Sequence, residues 1–331
     1  MSLQQWHEFL QNFGTQHSFN DISTPVMNET IICDLSHLGL LQIQGADAVT
    51  FMQGQVTNDV KQLNGSNAHY TGYCTPKGRL LALFLAFAHH GHIHLQLPKP
   101  LVEPITKRLK MYVLRSKVDI QDASESIIKI GLNGSQAPEL LSALFSQVPQ
   151  NDFELVTLDN GALLKLPGSQ PRFEIFTDLN QAPAIWNALL KHAKPVSMNV
   201  WEWLEVQAGI PDVVISTQEE FVPQMLNLDL IGGINFKKGC YTGQEIVART
   251  HYLGTVKRRT QLAHVDSANP PVAGDNVTNK SNDVIGKVVR SAKAPNGGYD
   301  ILAEIRLESV EAEEVYVNNA KLEVKALPYP L

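Results

Sequence analysis

The stretch from Arg259 to the C-terminus constrains this chain most: strand-like segments alternate there with turn signals at close intervals. The punctuation is Pro270-Pro271, Ala273-Gly274-Asp275, Asn296-Gly297-Gly298 and Val317-Asn318-Asn319. Short strands separated by such turns describe an all-β module. A module this small is expected to close into a barrel, because closure removes unpaired strand edges. The whole chain, at 331 residues, exceeds one ordinary core, so two or three domains are expected.

A second rhythm runs through residues 126–195. Strands are expected at 127–132, 153–158, 162–166 and 173–176, with helices at 138–147 and 182–192. That order predicts an α+β unit of ferredoxin-like type, helices on one side of an antiparallel sheet. Trp6, Phe9, Leu10 and Phe13 recur at helical spacing and predict an amphipathic opening helix. Asp47 is placed to cap a helix, and Pro76-Lys77-Gly78 to join two strands.

Composition narrows the class. A chain 44% hydrophobic and 18% charged reads as globular, and a net charge of −6 gives no global pull toward nucleic acid. Two windows depart from that average: Lys99, Lys107, Arg108, Lys110, Arg115 and Lys117, then Lys237, Lys238, Arg249, Lys257, Arg258 and Arg259. They read either as solvated faces or as a positive site. The longest apolar run, Leu80 to Ala88, is far short of the ~20 residues of a membrane helix. The start lacks a basic segment before an apolar run, and the cysteines Cys33, Cys74 and Cys240 show no disulfide spacing, so a cytoplasmic protein is expected.

One cysteine stands apart. Lys237-Lys238-Gly239-Cys240-Tyr241-Thr242-Gly243-Gln244-Glu245 precedes a helical pattern through Ile246, Val247, Ala248 and Arg249. Thr242 and Glu245 have the spacing of a capping box, with Tyr241 and Ile246 as a hydrophobic staple. On that reading Cys240 lies just before a helix N-terminus. The helix dipole, the two lysines and the open backbone at Gly239 favour a reactive thiol. Cys33 and Cys74 sit in apolar, strand-like contexts and are expected to be buried. Alone, Cys240 cannot supply the several thiolates that usually hold an iron–sulfur cluster. A shared cluster ligand, a redox thiol and a covalent adduct all stay open.

Other candidates are polar. Gln53-Gly54-Gln55 with Thr57-Asn58-Asp59, and Gln224 with Asn227, offer amides suited to a flat heterocycle; the bland alternative is caps and turns. Trp201 and Trp203, near Glu202 and Glu205, offer a stacking wall and a carboxylate, or core aromatics. His89, His90, His92 and His94 lack a nearby carboxylate or cysteine to complete a tetrahedral set, so no metal site is expected.

Residues 237–249 closely resemble the signature of the YgfZ family, the folate-binding, tRNA-modification-linked relatives of the glycine-cleavage T protein. Gly45 to Asp59, Gly209-Ile210-Pro211, Phe221 to Gln224, Gly232 to Phe236 and Leu327 to Leu331 resemble further family motifs. The resemblance implies an α+β, T-protein-like folate-binding core at 1–125 and 196–253, the ferredoxin-like domain at 126–195, and a small C-terminal β-barrel at 254–331. It implies tetrahydrofolate or a derivative as ligand, and service to iron–sulfur enzymes, including a tRNA-thiomethylating one. The family's essential cysteine corresponds to Cys240, and a folate-linked tryptophan to Trp201. A second such tryptophan falls at Leu38 here. Gln53, Gln55, Gln224, Asn227, Tyr241, Gln244 and Glu245 complete the expected folate contacts. Lys237, Lys238, Gly239, Thr242, Gly243 and Arg249 complete the motif.

One departure bears on activity. The T protein carries an aspartate that assists aminomethyl transfer, whereas Pro76 to Leu83 here contains no acid. A carboxylate is the natural group to polarise a reacting folate nitrogen. The leading expectation is therefore a folate-binding accessory protein without self-sufficient activity. The alternative is a folate-dependent aminomethyl or one-carbon transferase, and direct tRNA binding through the basic windows is a third reading.

Overall fold

The structure, a computed structural model, describes residues 3–16, 21, 23, 28–312 and 314–331; the Phe13 side chain lies outside the described residues. The chain divides into two compact units, residues 1–48, 63–68 and 86–201, and residues 49–62, 69–85 and 202–331. Among the described residues no helix is long and apolar enough to cross a membrane.

The first unit holds a six-stranded sheet in the order Lys194–Val196, Ile31–Asp34, Ile127–Asn133, Arg172–Asp178, Gly161–Leu166, Leu155–Leu158. Four of its strands, Ile127–Asn133, Leu155–Leu158, Gly161–Leu166 and Arg172–Asp178, fall within two residues of the positions expected from periodicity, whereas Lys194–Val196 was not expected. Helix Ala182–Leu189 forms where expected but ends three residues short of 192, and the preceding one stops at Ser142 instead of 147. There the Ser142 hydroxyl turns back onto the Pro138 carbonyl (2.8 Å), a bond that competes with the helical ladder. Ile31–Asp34 is inserted parallel to Lys194–Val196 and antiparallel to Ile127–Asn133, a long-range pairing that local pattern does not reveal.

The opening helix Leu3–Gln16 buries Trp6 and Leu10 in this unit's core with Ile130, Phe173, Ile175 and Trp186. Trp6 meets Trp186 edge to face at 5.8 Å and donates its indole N–H to Asp34 (3.1 Å). A buried indole needs such a partner, so the helix is fixed in rotation as well as held by area.

A five-stranded sheet has the order Ala68–Cys74, Leu80–His89, His92–Pro98, Leu38–Gln44, Asp119–Asp122. Its strand Leu80–His89 passes from the second unit into the first at Ala86.

The second unit contains the closed barrel, in the order Arg258–Val265, Tyr299–Arg306, Val284–Lys293, Asn276–Asn279, Val315–Val317, Ala320–Lys325. The residues read as turn signals form turns with left-handed backbones: Gly297 and Gly298 have φ of 98° and 63°, Asn318 and Asn319 of 50° and 65°. Val277, Val288, Ile301, Ile305 and Val317 alternate inward to fill the interior. The fold class expected from sequence is thus present: mixed helix and sheet with a terminal six-stranded barrel.

Candidate functional site

The stretch Gly232–Thr242, which carries Cys240, is held to the strip Gly54–Asn58 by buried and half-buried hydrogen bonds, all within the second unit. Thr57, wholly buried, donates its hydroxyl to the Gly233 carbonyl (2.7 Å) and accepts the Gly72 N–H (2.8 Å). Asn58 donates to the Gly232 carbonyl (2.7 Å) and the Tyr70 carbonyl (3.0 Å). The Asn235 N–H reaches the Thr57 carbonyl (3.1 Å), and the Thr242 N–H the Gly54 carbonyl (3.2 Å). Buried groups of this kind are costly to leave unpaired, so each bond fixes the loop's path.

Lys238 closes the set from below. Its ammonium donates to the Val56 and Asn58 carbonyls (2.6 and 2.7 Å) and lies 5.1 Å from the Tyr241 ring centroid. Burial lowers its pKa to about 8, with Asp59 opposing. One of the two cations assigned to the thiol is therefore a structural bolt, while Lys237 is exposed.

The expected capping box does not form. Helix Gln244–Tyr252 is capped by Gly243 in the left-handed region (φ 85°), without a side-chain cap. A Cβ at Gly243 would stand 2.5 Å from the Thr75 carbonyl oxygen and 3.0 Å from the Gly78 Cα. Gly78 (φ 69°) in turn lies against Ile246. Two glycines thus let the helix start nest on the Thr75–Arg79 turn, and this contact overrides the local Thr242–Glu245 pairing. Cys240 sits four positions before the first helical residue. Cys240 is exposed, and a Cβ at Gly239 would meet nothing within 4 Å. Cys33 and Cys74 are buried, and burial pushes the Cys74 thiol up to about 12.

Several polar candidates turn out to be frame. Gln53 spends both ends of its amide on Asp59 (2.9 Å) and the Val60 N–H (2.9 Å). Gln224 and Asn227, both wholly buried, donate to the Val247 carbonyl (2.7 Å) and the Thr260 carbonyl (2.8 Å). Trp203 donates to Asp300 (2.8 Å), and Glu202 and Glu205 pair with Arg290 at 2.9 and 3.7 Å. Two family-like motifs meet where Tyr329 donates to the Gly209 carbonyl (2.7 Å), its ring filling the space a Cβ there would need. In the first unit, Trp201 is wholly buried, packed on Gly131 with the Arg172 guanidinium 5.5 Å from its ring, and Leu38 is half-buried.

Gln55 and Gln244 are half-buried and Glu245 is exposed; among the described residues their side chains make no internal hydrogen bond. Of the second basic window, Lys238, Arg258 and Arg259 are engaged internally, leaving Lys237, Arg249 and Lys257 exposed. In the first window Lys107 pairs with Glu103, while Lys99, Lys110, Arg115 and Lys117 are exposed. Among the described residues no group of three or more His, Cys, Asp or Glu is arranged to hold a metal.

His69, which sequence reasoning did not single out, borders this frame. Burial lowers its pKa to about 4, the charge on Lys238 adding and Asp59 opposing. In the first unit burial lowers His94 to about 3. Both stay neutral in the folded chain, whereas the unfolded chain takes up their protons below 6.5. Stability is therefore expected to fall as pH drops from 6.5 toward 4, by up to about 1.4 kcal/mol per pH unit for each histidine. Urea unfolding across that range checks this; a flat midpoint contradicts it.

A comparison with protein families matches residues 7–232 to the GCVT N-terminal domain, a stretch that ends just before the cysteine segment. Among curated proteins, the tRNA-modifying protein YgfZ of Colwellia psychrerythraea is 40% identical over 232 residues, 70% of each chain. That of Enterobacter sp. (strain 638) is 31% identical over 307 residues, 91% of this chain and 93% of its own. Among solved structures, the glycine cleavage system aminomethyltransferase T from Bartonella henselae superposes with a TM-score of 0.70 at 16% identity, covering 91% of this chain and 86% of its own. At that identity the likeness concerns the fold.

Proposed function

This chain belongs to the YgfZ family and carries a GCVT N-terminal domain, and from that premise we propose that it is a folate-binding accessory protein in tRNA modification and iron–sulfur enzyme maintenance, with Cys240 its reactive residue. The observation that carries the reading is the exposed thiol on a loop whose neighbours are committed to buried hydrogen bonds. A cysteine serving only as a small hydrophobe needs no such frame. A thiol that must meet another molecule in a fixed position does.

Folate fits this chain in part. Gln53 has both ends of its amide engaged internally, Gln224 and Asn227 are wholly buried and donate to backbone carbonyls, and the wholly buried Trp201 offers no ring face to solvent. Gln55, Gln244 and Glu245 remain to hold a pterin edge, which needs donors and acceptors in one plane. When bound, folate supplies a one-carbon carrier; the residues named here bind and orient it. The acid-free turn and strand at Pro76 to Leu83 weighs against aminomethyl transfer by this chain. The expected partners are iron–sulfur enzymes such as a tRNA-thiomethylating one, in the cytoplasm.

Equilibrium dialysis with tetrahydrofolate tests the ligand. Saturable binding, weakened at least about tenfold in Gln55→Ala/Gln244→Ala, is expected from the loss of two hydrogen bonds at roughly 1 kcal/mol each. Unchanged binding in that variant contradicts the contact set. Turnover of methylene-tetrahydrofolate by the purified chain would favour the transferase reading instead.

A further inference from the structure

The C-terminal end of helix Gln244–Tyr252 carries rings that the frame of the site does not use. Phe236 and His251 stack at 3.8 Å with their planes 14° apart, and Tyr252 stands edge-on to both, at 6.1 and 4.7 Å. His251 is exposed, Tyr252 is 64% exposed and the following Leu253 84%. A helix end that only caps a core buries its aromatic rings; here His251 and Tyr252 face solvent, and the half-buried Phe236 backs the His251 ring.

The charge around them is equally specific. Lys237 directly follows Phe236, Arg249 lies one helical turn before Tyr252, and Lys257 follows shortly after Leu253. All three are exposed, and among the described residues none has an ion-pair partner. The exposed Glu245 is the one acid on the same helix. Three exposed cations without ion-pair partners beside exposed rings make a locally positive surface that also offers stacking, on a chain of net charge −6.

We propose that Phe236, His251 and Tyr252 with Lys237, Arg249 and Lys257 form a docking surface for single-stranded RNA, unpaired bases stacking on the rings and phosphates meeting the cations. Base-on-ring stacking with a flanking basic groove is the general chemistry of single-strand recognition. A duplex hides its base faces and gains only the charge term. An apolar peptide would use the rings but leave the cations idle. The choice of RNA over single-stranded DNA rests on the tRNA-modification reading above; the stacking surface itself does not.

Fluorescence anisotropy with a short unstructured RNA, and with a duplex of equal length, tests this on the full chain. The single strand is expected to bind more tightly than the duplex, and to weaken steeply with salt. His251→Ala/Tyr252→Ala is expected to lose at least about tenfold in affinity, while His251→Phe/Tyr252→Phe stays within about threefold. Unchanged urea midpoints in both variants separate this from unfolding. No binding at low salt, equal affinity for the duplex, or full affinity in the alanine variant overturns the surface, the first leaving the rings to a protein partner. Because Cys240→Ser removes none of these rings, loss of rescue in that variant together with absent RNA binding would overturn the surface and leave the folate and thiol reading standing.

Discussion

Gly243→Ala is expected to destabilise the second unit by about 3 kcal/mol or more, the sum of two independent penalties. A left-handed backbone, φ 85° here, costs a non-glycine residue roughly 1–2 kcal/mol. The added Cβ would also stand 2.5 Å from the Thr75 carbonyl oxygen and 3.0 Å from the Gly78 Cα. Both are backbone atoms that no rotamer change can clear, and such overpacking costs roughly 1–3 kcal/mol. Neighbouring glycines calibrate the claim. Gly232 (φ 74°) has open space around its Cβ position, so Gly232→Ala should show the conformational penalty alone. Gly239 has neither constraint, and Gly239→Ala should stay within about 0.5 kcal/mol. Urea unfolding of the three variants should therefore rank them in that order. Equal effects would mean that the helix start does not nest on the Thr75–Arg79 turn.

Arg259→Leu should cost about 3–5 kcal/mol, the range for leaving one member of a buried pair alone. Arg259 grips Asp229 with two parallel bonds of 2.5 and 2.9 Å and donates to the Gln224 carbonyl (3.0 Å). The side chains of Arg259 and Asp229 are 13% and 11% exposed, so both charges are largely withdrawn from water. Arg259→Lys should recover little, because an ammonium cannot reproduce the planar fork. Arg259→Leu/Asp229→Leu should recover more than half of the loss, since an uncharged pair carries no desolvation cost. A double variant as unstable as the single one would show that the loss comes from packing.

Much of this molecule is legible in its sequence where the signal is local. The barrel was readable because its turns need left-handed residues, and Gly297, Gly298, Asn318 and Asn319 stand there. The strands of residues 127–178 were readable from alternation, and the burial of Cys33 and Cys74 from their apolar neighbours. What was not legible depends on partners distant in sequence. Nothing near Lys238 says that its ammonium ends on the carbonyls of Val56 and Asn58. Gln53, Gln224 and Asn227 look like ligand amides until their backbone acceptors are known. The capping box failed for the same reason: Thr242 and Glu245 have the right spacing, but Gly243 is claimed by Thr75 and Gly78. The exposed rings had one readable sign, two aromatic residues together in the last turn of a helix ending before Gly254.

These corrections narrow the site to one exposed thiol, three uncommitted polar side chains and a rigid support. The frame should survive loss of the sulfur nucleophile, because the Cys240 side chain takes no part in any of its hydrogen bonds. Rescue by Cys240→Ser in a strain deleted for this gene, read as the thiomethylated nucleoside content of its tRNA, tests the central claim most directly. Modification at the level of the empty strain, by a variant that still folds and still binds tetrahydrofolate, is the predicted result. Full modification restored by Cys240→Ser would contradict the account of this cysteine.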